Sequence, residues 1–274
     1  MSDQGDPLVR IAEALERLAP DRRMPADWTS APAYSWSHNR ANPVPSIDAP
    51  ALNVFRGIDR QRDAVVENIA RLAEGHAAHD MLLWGARGMG KSALIRSAVA
   101  AAQESGSELA LVQLGVGALE DLPSLFHRLS AVDRRFVLFI DDLAFAEDDS
   151  TGPRQLRSWL EGGVNARPAN TRLAVTTNRR SIVARQASEV EEAMHERDLL
   201  DDKLALADRF GLSIGFHPCS KPVYLAIVAA YAKPLGLSFE DGDALAWAMQ
   251  RGSRSGRTAW QYVTELAGRA GQTF

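Results

Sequence analysis

Eight consecutive residues, Gly85-Ala86-Arg87-Gly88-Met89-Gly90-Lys91-Ser92, combine three glycines with a lysine and a hydroxyl in the spacing G-x-x-x-x-G-K-[ST]. Glycines let a backbone turn so that several N–H groups point inward at phosphate oxygens. A helix opening directly after such a loop adds partial positive charge at its N-terminus. Lys91 can reach the outer phosphates of a nucleotide, and the Ser92 hydroxyl can ligate magnesium. The candidate contacts run through these eight residues and into Ala93. A glycine-rich turn matching by chance is the alternative. Against it stand an apolar strand before the loop, Met81–Trp84, and a helix after it, from about Lys91 to Glu104.

A second set of chemically useful groups follows. The run FVLFIDD, Phe136 to Asp142, is an apolar strand that ends in two carboxylates. In a parallel sheet such an ending delivers them to the C-terminal edge, where ligands bind. Asp141 is the candidate to hold Mg2+, directly or through water. Asp142 is the candidate to orient an attacking water as general base. A further strand ends Thr176-Thr177-Asn178, a polar tip able to position water near a terminal phosphate. Alone, a strand ending in asparagine is an ordinary turn signal.

The elements that must carry these groups alternate along the chain. Strands are expected at Met81–Trp84, Leu109–Leu114, Phe136–Ile140, Arg172–Thr177 and Leu212–Phe216. Helical patterns fall over 59–74, 91–104, 119–131, 153–165 and 188–209. This alternation predicts an α/β fold with a five-stranded parallel sheet covered on both faces. After Pro218 the pattern turns helical, over 222–233, 241–251 and 257–270, which predicts a small C-terminal lid. Ahead of the core, residues 8–19 repeat apolar positions at helical spacing. Prolines at 20, 25, 32, 43, 45 and 50 then surround Trp28, Tyr34 and Trp36. That stretch reads as an extended arm that strings aromatic anchors across a partner, or as a tail lying on its own domain. The expected division is an arm over 1–50, a nucleotide-binding core over 51–218 and a helical lid over 219–274.

Composition bounds the rest. The 274 residues are 46% hydrophobic and 24% charged, the balance of an ordinary globular chain. A formal net charge of −4 carries no basic signature for nucleic acid. The single cysteine, Cys219, forms no internal disulfide and has no zinc-ligand spacing. No apolar run reaches the length of a membrane span and no secretory leader is evident, so a cytoplasmic location is expected.

The order of cradle, acidic strand, Asn-tipped strand, arginine before a fifth strand and helical lid resembles the AAA+ ATPases, from roughly Asn53 to the C-terminus. The phrases LLWGARGMGKSALI, FVLFIDDL, LEGGVNARP, TTNRR, LADRFGL and RSGRTAWQYV resemble a bacterial family of AAA+ ATP-binding proteins of uncharacterised function, DUF815. The resemblance implies ATP and Mg2+ as ligands and an ATPase that assembles into a nucleotide-dependent homo-oligomeric ring. It implies adenine contact at Ile58, in FRGIDRQRDAV, and a first sensor at Asn178. It also implies an arginine finger at Arg209 that reaches a neighbouring subunit's γ-phosphate, and a second sensor at Arg257, with Arg254 as rival. Each arginine also has a plain alternative. Arg209 can pair with Asp208, Asp202 or Asp201, and Arg254 and Arg257 can cap a helix. Arg179 and Arg180 could contact phosphate, a neighbouring subunit or nothing.

One residue departs from the family pattern. Most AAA+ enzymes carry glutamate where this chain has Asp142, one methylene shorter and further from the water to be activated. Slow turnover, with nucleotide acting as a conformational switch in a loader or adaptor, is therefore the alternative to a remodelling ATPase. The Asp-Asp and Thr-Thr pairs also resemble signalling NTPases of the STAND group, although no repeat domain follows. A DNA-linked ATPase is a third reading, with the acidic net charge against it. The macromolecular client has no signature in the sequence.

Overall fold

Runs of apolar residues with no polar face can be strands only where both faces of a sheet are covered. In the computed structural model, which describes residues 26–115, 118–143, 151–161, 167–178 and 207–273, the expected strands form, and all but the last, an edge strand whose Ser213 is exposed, meet that condition. They are β3 (Met81–Gly85), β4 (Ala110–Leu114), β5 (Phe136–Ile140), β6 (Thr171–Thr177) and β7 (Leu212–Phe216). Successive residues on each strand enter opposite layers, as a period of two requires. Leu83, Phe139 and Ala174 join one apolar cluster. Their chain neighbours Leu82, Leu138 and Val175 join the other.

The expectation of five strands is corrected to seven among the described residues, in the order β2-β1-β4-β5-β6-β3-β7. The two additional strands come from the proline-rich stretch. β1 (Ala33–Ser37) pairs in parallel with β4, and β2 (Arg40–Val44) folds back antiparallel on β1. His38 and Asn39 between them have φ of 49° and 58°, the left-handed pair that a tight hairpin turn demands. β2 is the edge strand, which is where Pro43 is tolerated because no neighbour needs its missing N–H. The aromatic residues ahead of the core therefore lie in this chain's own interior. Tyr34 and Trp36 are 1% and 0% exposed, and Trp28 stacks on Trp36 with centroids 6.1 Å apart. Arg134 ties the segment down by donating from Nη1 to the carbonyl oxygens of Trp28 and Ala31.

Helices α1 (Asp59–Ala73), α2 (Lys91–Glu104), α3 (Leu122–Ser130) and α4 (Thr151–Glu161) accompany the strands. The C-terminal helices are α5 (Lys221–Ala232), α6 (Asp241–Gln250) and α7 (Gly256–Arg269). Ser220 and Ser255 cap α5 and α7 by accepting from the N–H of Val223 and Thr258. Tyr224, Val228, Ala259 and Val263 share the apolar cluster of the sheet face that also holds Ile58 and Leu83, so α5 and α7 are welded to the core. The expected helices over 8–19 and, except for its last three residues, 188–209 lie outside the described residues. So do Arg179, Arg180, Asp201 and Asp202. Among the described residues no helix is long and apolar enough to cross a membrane.

Because the hairpin contributes to the interior, removing its largest buried ring should destabilise the whole chain. Trp36→Ala is expected to cost about 3–5 kcal/mol in denaturant unfolding, the range for deleting a buried aromatic. A loss below about 1 kcal/mol, the ordinary scale of a surface change, would mean that the hairpin is peripheral.

Candidate nucleotide-binding site

The glycine loop turns as its residue types require. Gly88 and Gly90 have φ of 74° and 90°, a region that side chains disfavour. Both are also crowded. A Cβ on Gly88 would stand 2.8 Å from Ser255 Oγ, and one on Gly90 would stand 3.1 Å from Phe55 Cε1. The loop is anchored to β7 by the Ala86 N–H, which donates to Phe216 O at 2.8 Å. α2 opens at Lys91 with Gly90 as its N-cap, so the unpaired N–H groups of its first turn belong to the loop.

The tips of three neighbouring strands meet beside this loop. Lys91 is 6% exposed, and its Nζ donates to Gly85 O (2.8 Å), Ala86 O (2.9 Å) and Asn178 Oδ1 (2.9 Å). Ser92 Oγ donates to Asp141 Oδ1 at 2.5 Å. Thr176 Oγ1 donates to the same Asp141 oxygen at 2.6 Å and accepts from the Asp142 N–H at 2.8 Å. Asn178 Nδ2 donates to Asp142 Oδ1, which closes a chain from Ser92 through both carboxylates to Lys91. Asp142 itself has φ of 51°, a left-handed conformation that aspartate tolerates better than most residues. Burial pushes the Lys91 ammonium below its ordinary value. The carboxylates of Asp142 and Asp141 oppose that shift, and the charges of Arg257 and Arg87 add to it.

These groups line one face of a cavity of ≈ 870 Å3, within the range of about 300–1,000 Å3 typical of small-molecule sites. Arg87 to Ala93 line it, as do Asp141, Asp142 and Asn178. Gly85 and Ala86 are outside the lining and turn their carbonyls to Lys91 instead. Ile58 borders the cavity as the N-cap of α1 and is buried. Arg257 lines it from the first turn of α7, and its N–H donates to Gly88 O at 3.1 Å, so that helix docks directly on the loop. Arg254 is exposed and outside the lining, and its carbonyl accepts from Cys219 Sγ.

Arg209 is not brought to this cavity. It is exposed on the turn that enters β7, at the opposite edge of the sheet. A five-residue strand at about 3.3 Å per residue separates the two edges. Some lining residues are given no individual role by the sequence. Phe55 stands against Gly90, and Tyr231 and Trp260 form an aromatic pair with centroids 5.1 Å apart. Trp260 lies three residues after Arg257 on α7 and so shares its face. Thr176 is visible in the sequence only as part of a polar strand tip.

The donor set suits magnesium better than a metal held by protein alone. Among the described residues no group of three His, Cys, Asp or Glu side chains could hold an ion. Mg2+ is usually held by one or two carboxylates together with substrate phosphates. The Ser92–Asp141 pair beside the loop has the chemistry such a site would need.

No curated protein sequence matches the chain significantly. Solved structures do share its fold. RuvB of Thermotoga maritima, a Holliday junction branch migration motor, aligns at 18% identity over 81% of this chain and 66% of its own, with a TM-score of 0.51. A point mutant of the same RuvB aligns at 19% identity over 82% and 69%, with a TM-score of 0.54. Orc1 of Aeropyrum pernix, solved in complex with DNA, aligns at 17% identity over 80% and 65%, with a TM-score of 0.54. The chain thus spans about two thirds of the length of these proteins, and the likeness is one of fold: an α/β domain built on a largely parallel sheet. The profile of a family described as protein of unknown function, DUF815, matches residues 29–270, which is most of the chain, and this protein belongs to that family.

Proposed function

We propose that this protein is an ATPase that binds Mg2+–ATP in the cavity and couples binding and hydrolysis to the assembly or remodelling of a client. The observation that carries the reading is the continuous hydrogen-bonded chain from Ser92 through Asp141, Thr176, Asp142 and Asn178 to Lys91, set beside a glycine loop at a helix N-terminus. Chance glycine turns have no reason to be faced by this set. In this reading residues 51–218 hold the nucleotide and 219–274 act as its lid.

The chain's own groups divide the work. Lys91 exchanges its carbonyl and amide partners for phosphate oxygens, and burial strengthens that attraction by excluding water. The N–H groups of Arg87 to Ser92 cradle the remaining oxygens. Ser92 and Asp141 would hold Mg2+, which when bound neutralises charge on the outer phosphates. Asp142 orients the attacking water, with Asn178 holding its carboxylate. Arg257 senses the nucleotide from the lid, and Ile58 and its aromatic neighbours receive the base. Arg209, a strand's length away, serves a cavity only in a second copy of the chain, which calls for a homo-oligomer.

A second reading, a slow nucleotide-gated switch, is favoured by one observation. Asp142 is turned into a left-handed conformation and its Oδ1 is engaged by Asn178, which leaves a short carboxylate with Oδ2 alone to meet the attacking water.

Calorimetric titration tests the nucleotide site. The wild type is expected to bind ATP with Mg2+, and Lys91→Ala to bind it about tenfold to a hundredfold more weakly, the scale of a lost hydrogen-bonding charge. Equal binding by both would end the reading.

Light scattering with steady-state turnover then separates the two modes. An oligomeric ATPase should assemble with ATP and lose about a thousandfold in turnover in Arg209→Ala, as arginine fingers do. A chain that stays monomeric, with turnover untouched by Arg209→Ala, would favour the switch.

A further inference from the structure

The geometry points to Thr176 as a positioning residue for the metal: its hydroxyl holds the Asp141 carboxylate and the turn at Asp142 in one fixed arrangement. The inference rests on the reading of the cavity as a Mg2+–nucleotide site. Thr176 is 1% exposed on β6, between the acidic tip of β5 and the loop that follows β3. It touches three consecutive residues of the β5 tip. Its Oγ1 donates to Asp141 Oδ1 at 2.6 Å and accepts from the Asp142 N–H at 2.8 Å, while its carbonyl oxygen accepts from the Leu143 N–H at 2.7 Å.

The direction of each bond is fixed by chemistry. A hydroxyl has one proton to give, a backbone N–H can only donate, and an ionised carboxylate can only accept. The proton must therefore go to Asp141 and a lone pair must face Asp142. Ser92 donates to the same Oδ1, so two hydroxyls converge on one oxygen. Among the described residues Oδ2 of Asp141 takes no hydrogen bond, which leaves it for a cation. Removing the Thr176 hydroxyl leaves Ser92 as the remaining hydroxyl on that oxygen and loosens the carboxylate about its terminal torsion, which has broad minima. The same change leaves the Asp142 N–H without its partner in a left-handed turn.

The experiment is a calorimetric Mg2+ titration of the ATP-bound protein, with ATP binding in EDTA as its companion, for wild type, Thr176→Val and Thr176→Ser. Thr176→Val is expected to raise the Mg2+ concentration for half-saturation by about tenfold or more, the range for residues that orient a metal's ligands. Its ATP binding in EDTA, which depends chiefly on the loop and Lys91, should weaken far less than its Mg2+ uptake does. Thr176→Ser, which keeps the hydroxyl, should recover wild-type Mg2+ uptake. Unchanged Mg2+ uptake in Thr176→Val overturns the inference and leaves the nucleotide reading standing. Loss of ATP binding in EDTA by Thr176→Val, or failure of Thr176→Ser to recover, also overturns it by assigning Thr176 to general structure. A wild type that binds no ATP overturns the nucleotide reading and this inference with it.

Discussion

The parallel pairing of β6 between β5 and β3 is the constraint on which the site depends. It aligns Ile140 with Val175 on one side and Trp84 with Thr177 on the other. The residues that follow these positions, Asp141, Asn178 and Gly85, therefore emerge together at one sheet edge. A register shift of one residue would send every side chain of β6 to the opposite face. Val175 and Ala174 would exchange apolar layers, and Thr176 would turn away from Asp141. Burial on both faces is what forbids that shift, so the packing of the sheet and the geometry of the polar network are one energetic fact. The seven-strand sheet extends this platform beyond the β4 edge, with Tyr34 and Trp36 filling the layer next to Phe136 and Leu138.

The second constraint is close approach of backbone to backbone. Gly88 lets the first turn of α7 reach the loop, where Arg257 N–H meets Gly88 O and Ser255 fills the space of an absent side chain. Gly57, with φ of 72°, does the same for α5, since a Cβ there would stand 2.4 Å from Val223 Cγ1. The C-terminal helices thus contact the loop and the segment before α1 directly, with no side chain between them to absorb a shift. Any ligand that moves the loop must move these helices as well. Such coupling is what a protein needs if it is to convert phosphate binding into a change of shape.

The cradle, the acidic strand and the Asn-tipped strand were legible because each is a local pattern: glycine spacing, or an apolar run that ends in polar residues. Five strands could be read for the same reason. The hairpin was not, because Pro32, Pro43 and Pro45 around Tyr34 and Trp36 signal a break in any local reading. What rescues them is an edge position, known only once β1 has found β4 some seventy residues downstream. The bonds of Lys91 to Asn178 and of Thr176 to Asp141 were equally hidden, since they join strands by tertiary pairing rather than by spacing. Asp142 illustrates a different limit. Its residue type suggested a shorter base, whereas its backbone conformation and its bond to Asn178 arise from the turn after β5. Arg209 was legible as an arginine before a strand, but its distance from the cavity follows from strand direction alone.

A crystal structure with Mg2+ and a non-hydrolysable ATP analogue tests the central claim most directly. The account predicts the analogue's phosphates within the turn of Gly85 to Ser92, Lys91 Nζ moved from Asn178 Oδ1 to phosphate oxygens, and the metal between Ser92 and Asp141. An analogue bound away from the loop, or Lys91 still held by Gly85, Ala86 and Asn178 with the phosphates elsewhere, would contradict it.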